Sequence, residues 1–142
     1  MCEIRILVVD DYAPLQRFIA GMFEREKDLK IVATASGGRE AVQIAKVLQP
    51  DVILMDVSLP EMSGIEATRR IREVLPGSRI LFLSEHMGRD IVEEAFAAGG
   101  MGYVLKSELL NDLFSGLRAI LRGERYLSRS LRESRGTRKS LD

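Results

Sequence analysis

The 142-residue chain has one cysteine and one histidine, and these two scarcities remove whole classes of chemistry. Cys2 has no partner for an intrachain disulfide, and a cysteine metal site is not expected from one sulfur. A reducing compartment follows, and the chain is expected to be cytoplasmic. Long apolar runs are missing too. None approaches the roughly 18 residues that a bilayer crossing requires, so no membrane partner is expected. The opening MCEIRILVVDD has an acid at its third position and a short apolar run closed by two acids, unlike a signal peptide. Net charge is also absent, but the zero hides an asymmetry. Residues 1–121 carry 14 basic and 18 acidic side chains, and residues 122–142 carry 7 and 3. The basic tail RGERYLSRSLRESRGTRKSLD has no aromatic interleaving beyond Tyr126. It reads as a solvated terminal extension rather than a nucleic-acid-binding arm.

What is present is a regular alternation. With 46% hydrophobic and 30% charged residues the composition is that of an ordinary globular domain. Five short runs have strand character: residues 4–9, 30–35, 51–55, 79–83 and 102–105. Four of them are nearly continuous apolar runs, the pattern of strands covered on both faces of a parallel sheet. Between them lie helical periods, such as Leu15, Phe18, Ile19, Met22 and Phe23 after Pro14, or Leu110, Leu113, Leu117 and Ile120 before Gly123. Alternating strand and helix predicts a doubly wound α/β domain. In such domains ligands bind beyond the carboxyl ends of the strands, where the strand order reverses.

Those ends carry a distinctive set. Asp10 and Asp11 close the first strand, Asp56 the third, Ser84 follows the fourth and Lys106 ends the fifth. A single Asp there is more often a turn former or helix cap, and a single lysine is usually solvated. Four qualifying strand ends together are a different matter. Three carboxylates in one pocket repel one another, and a divalent cation relieves that. All-oxygen ligands with few carboxylates suit Mg²⁺, with Lys106 as an additional mobile positive charge.

At this point LVVDD, DVILMDVSLPEMSGIEA, ILFLSEH and GYVLKS, in that order, resemble the receiver domain of two-component response regulators. The likeness runs from about residue 3 to residue 122, leaving residues 123–142 as a basic extension or linker. It implies a flavodoxin-like, five-stranded parallel sheet in the order 2-1-3-4-5 with five helices. It also implies that Asp56 accepts a phosphoryl group from a histidine kinase or phosphotransfer protein. Asp10, Asp11, Asp56 and the Ser58 carbonyl would hold Mg²⁺, and Lys106 would neutralise phosphoryl charge. Ser84 and Tyr103 would be the switch pair that alters the face built from helix 4, strand 5 and helix 5. The protein would then be a regulatory phosphoacceptor rather than an enzyme. An aspartyl phosphatase is the rival reading, but it would be expected to have a second acid two residues after Asp56, where this chain has Ser58.

Two positions depart from the family pattern. Glu85 stands where many receivers have a small residue, and its carboxylate would crowd the pocket; a receiver-like module that is never phosphorylated would fit that. Ser107 stands where proline often follows the lysine, and a cis Lys106–Ser107 peptide is the expectation it raises, although it would cost about 3 kcal/mol over trans. His86 reads as an ordinary residue near the pocket mouth, and Cys2 as a terminal thiol without function. The segment LLNDLFSGLRAILRGERYLS looks like the exit of receivers that precede a LuxR-type helix-turn-helix domain. That domain needs roughly 60 residues for three or four helices, and about 20 follow Leu121. The chain is therefore expected to be either a stand-alone receiver or a receiver with the linker of a transcription factor, with DNA contact only through a domain outside this sequence. A phosphorylation-linked homodimer using helix 5 with helix 1 or helix 4 is a further expectation.

Overall fold

The computed structural model describes residues 3–133, so Cys2 and the tail from residue 134 lie outside the described residues. The elements run in strict alternation: β1 (Ile4–Val9), α1 (Ala13–Phe23), β2 (Leu29–Ala35), α2 (Gly38–Leu48), β3 (Val52–Asp56), α3 (Gly64–Val74), β4 (Arg79–Ser84), α4 (Arg89–Ala97) and β5 (Gly102–Leu105). A 3₁₀ turn (Lys106–Glu108) leads into α5 (Leu109–Leu121), and a short β6 (Tyr126–Leu127) follows. The sheet order is β2-β1-β3-β4-β5-β6, with every pair parallel.

Strand side chains alternate between two cores, which explains the uninterrupted apolar runs. Leu7, Val9, Ile53 and Met55 face one core with α2, α3 and α4, whereas Ile6, Val8, Val52 and Leu54 face the other with α1 and α5. No residue of β3 is exposed. The helices start and stop on local signals. Pro14 lies in the first turn of α1, and the Ser63 hydroxyl caps α3 by accepting from the Glu66 N–H at 3.2 Å. The strand order reverses between β1 and β3, so their carboxyl ends open a crevice.

The sheet holds one strand more than the sequence predicts. Residues 126–131, read as part of a solvated extension, instead lie against the body. Tyr126 and Leu127 pair with Gly102 and Tyr103 of β5, and Ser128 and Leu131 are buried. A two-residue strand is too short to show a period. It forms because β5 is an open edge with unpaired backbone groups, which the Tyr126 and Ser128 N–H groups fill by donating to the Met101 and Tyr103 carbonyls.

Candidate functional site

The three acids meet at the crevice. Asp10, Asp11 and Asp56 each offer a carboxylate oxygen within 4.8 Å of the others, with Asp10 and Asp56 buried and Asp11 exposed. One cation faces them: Lys106 Nζ lies 2.8 Å from Asp10 Oδ2 and 3.2 Å from Asp56 Oδ2. Three carboxylates against one ammonium leave excess negative charge in a site partly closed to water. That oxygen-only donor set fits a hard divalent cation such as Mg²⁺. The site opens into a cleft of about 590 Å³ bordered by Tyr12, Pro14, Phe18, Ser58, Glu85 and His86, among others.

Local geometry aims these groups. Asp10 Oδ1 accepts from the Tyr12 N–H at 2.8 Å, an Asx turn that fixes the carboxylate as the chain leaves β1. Asp56 ends β3, and its Oδ1 accepts from the Ser58 N–H at 3.1 Å. The turn from residue 57 to residue 63 then folds back tightly, with the Gly64 N–H donating to the Val57 carbonyl at 2.9 Å. A Cβ at Gly64 would overlap the Asp56 carbonyl, so only glycine admits this return. The Lys106–Ser107 peptide is trans, as are all described peptides. The cis expectation is thus overturned. Without proline the trans form is favoured, and the 3₁₀ turn already brings Lys106 onto both acids.

Electrostatics follows from burial. Burial pushes the Asp56 carboxyl up to about 6; Lys106 opposes the rise and the charge of Asp10 adds to it. Asp56 therefore remains mainly ionised at pH 7. Burial draws the Lys106 ammonium down, but its hydrogen bond to Asp10 and the two carboxylate charges outweigh that and hold it above its ordinary value. Burial also raises the Tyr103 phenol, with a Ser84 hydrogen bond opposing and the Asp56 charge adding.

Hydrogen bonds tie Ser84 and Tyr103 to His86 in the loop after β4. Ser84 Oγ accepts from the His86 N–H at 3.0 Å, and the Tyr103 hydroxyl donates to the His86 carbonyl at 2.9 Å. Glu85 is exposed and lines the same cleft. Two contacts escape sequence reasoning. His86 Nε2 lies 2.8 Å from Ser58 Oγ, spanning the mouth. Gln16 Nε2 donates to the Asp10 carbonyl at 2.6 Å and the Ala35 carbonyl at 3.1 Å, bracing the end of β1. Nothing in the period of α1 marks Gln16, since the contact depends on the β1–β2 register.

Known proteins resemble this chain in sequence and fold. Residues 6–118 match the family described as "Response regulator receiver domain". Transcriptional regulatory protein LiaR of Bacillus subtilis is 36% identical over 121 residues, covering 85% of this chain and 57% of LiaR. Response regulator UvrY of Escherichia coli is 33% identical over 125 residues, covering 88% of this chain and 57% of UvrY. The chain thus spans just over half the length of these curated relatives. A solved two-component response regulator of the LuxR family from Aurantimonas superposes with a TM-score of 0.91 at 34% identity, over 97% of this chain and 99% of that one.

Proposed function

This chain belongs to the response regulator receiver domain family, and from that premise we propose that Asp56 accepts a phosphoryl group from a phosphohistidine of a sensor histidine kinase or phosphotransfer protein. The observation that carries the reading is the set of three convergent carboxylates answered by the single ammonium of Lys106. In the transfer a carboxylate oxygen of Asp56 forms the new O–P bond as the N–P bond breaks, and the bonding pair stays on the imidazole nitrogen. Asp56 is mainly ionised at pH 7 and needs no base to become a nucleophile. Lys106 offsets charge on the transferring group.

Asp10, Asp11, Asp56 and the Ser58 carbonyl would hold Mg²⁺, which when bound supplies the further positive charge that a phosphoryl group needs. Ser84 lies in β4, beside β3, and in this reading its hydroxyl bonds a phosphoryl oxygen while Tyr103 adjusts with it. The result is a changed surface across α4, β5 and α5 rather than a released product. The chain would be a cytoplasmic regulatory phosphoacceptor, and any influence on transcription would pass through a DNA-binding domain outside this sequence. A homodimer through α5 would rely on Leu110, the one large apolar side chain of that helix that is exposed.

Incubation with Mg²⁺ and a small phosphodonor, read by intact mass, tests the proposal. One labile phosphoryl group on the wild type and none on Asp56→Asn is the expected result. Catalytic turnover of the donor would support the phosphatase alternative. Absence of any adduct, with beryllofluoride also failing to bind, would support a module that works unphosphorylated.

A further inference from the structure

Tyr103 has a neighbour on each side within the sheet. Parallel register places Phe82 of β4 and Leu127 of β6 opposite it, and the Phe82 and Tyr103 ring centroids are 6.3 Å apart. Leu131 joins the same core, and Tyr103 has no exposed surface. The residue also links two backbones. Its hydroxyl donates to the His86 carbonyl, whose residue in turn donates to Ser84 Oγ. At its other end the Tyr103 carbonyl accepts from the Ser128 N–H at 2.9 Å. Ser128 Oγ then accepts from the Leu105 N–H at 2.7 Å, in a fully buried position next to Lys106 in the chain.

The segment that encloses Tyr103 is anchored by groups that have no part in phosphoryl chemistry. The buried Asp112 of α5 accepts from the Tyr126 hydroxyl at 2.7 Å and from the Arg129 N–H at 3.3 Å. Glu108 accepts from both the N–H and the hydroxyl of Ser130. α5 is notched to receive the Tyr126 ring: a Cβ on Gly116 would come within 2.9 Å of it.

We propose that residues 126–133 form a latch over Tyr103, and that the closed latch favours the phosphoryl-accepting arrangement of the pocket. The proposal rests on the phosphoacceptor reading above and adds the element that carries the signal out of the pocket. With the latch closed, Tyr103 is held towards the β4–α4 loop that carries Ser84 to His86, and the Leu105 N–H that precedes Lys106 is fixed. With it open, one flank of Tyr103 and the β5 edge are freed. Occupation of the pocket therefore tightens the latch, and loosening the latch weakens the pocket by the same factor, as linkage requires. The segment that follows α5 thus carries the state of Asp56 out of the pocket.

The test uses the full chain with Mg²⁺ and beryllofluoride, with ¹⁹F NMR reading occupancy and hydrogen exchange reading the latch. Saturating beryllofluoride is expected to slow exchange of the Leu105, Tyr126 and Ser128 amides at least fivefold. Ser128→Ala is expected to weaken beryllofluoride binding about fivefold or more. Tyr126→Phe, which keeps the ring and loses only the bond to Asp112, should shift binding in the same direction. Bound beryllofluoride with latch exchange unchanged within twofold overturns the latch while leaving the phosphoacceptor reading intact; wild-type affinity in both variants does the same. Failure of beryllofluoride to bind the wild type overturns the phosphoacceptor reading, and the latch with it.

Discussion

Replacing Asp56 by asparagine in chelator-treated protein isolates the cost of holding that charge in the crevice. Burial raises the carboxyl from an ordinary 3.8 to about 6 in the folded chain, a shift of about 2 units and so about 3 kcal/mol. Because the folded pKa is the higher one, the native state binds more protons than the unfolded state between about pH 4 and pH 6. Stability falls as pH rises through that window, and the full penalty is present above about pH 7. Asparagine keeps the shape and can still accept from the Ser58 N–H, but it carries no charge. At pH 8 without metal the variant should be more stable by up to about 3 kcal/mol, roughly 10 °C in Tm for a chain of this size. At pH 4.5 the advantage should shrink to about 1 kcal/mol by the same linkage. Thermal and urea unfolding at the two pH values measure both gaps. Adding Mg²⁺ should then raise the wild type selectively, by about 2.7 kcal/mol at a hundred times its Kd. A variant no more stable than wild type at pH 8 without metal would refute the reasoning.

Three other substitutions examine the scaffold. Gly64→Ala would force a Cβ onto the Asp56 carbonyl and should destabilise by about 3 kcal/mol or more, read by urea midpoint. Lys106→Ala leaves Asp10 and Asp56 without their shared ammonium; metal-free stability should drop by about 3 kcal/mol, with the Asp56 titration followed by NMR moving above 6. Tyr126→Phe removes the hydroxyl donated to buried Asp112 and should cost about 1–2 kcal/mol, also read by denaturant.

Legibility in the sequence varied with how local the cause was. Four of the strands, Ile4–Val9, Val52–Asp56, Arg79–Ser84 and Gly102–Leu105, were readable because they are largely apolar on both faces, and Asp56 stood out as a charge ending such a run. The convergence of Asp10, Asp11, Asp56 and Lys106 followed from the rule that loops at the carboxyl ends of strands share a crevice. Tyr126–Leu127 was not readable, since a two-residue strand is defined by its partner rather than by a period. Ser128, which sequence would place in solvent, is buried because the open edge of β5 supplies partners for both its N–H and its hydroxyl. The Ser107 expectation failed for a related reason: it treated a cis peptide as the device that aims Lys106, whereas the bond is trans and the 3₁₀ turn places the side chain.

The most direct measurement of the central claim is chemical location of the phosphoryl group. After reaction with a small phosphodonor in Mg²⁺, borohydride reduction converts an aspartyl phosphate to homoserine, and peptide mass mapping identifies the position. Homoserine at residue 56 alone, abolished by a chelator during the reaction, is the expected result. Modification at Asp10 or Asp11, or recovery of every peptide unchanged, would contradict it.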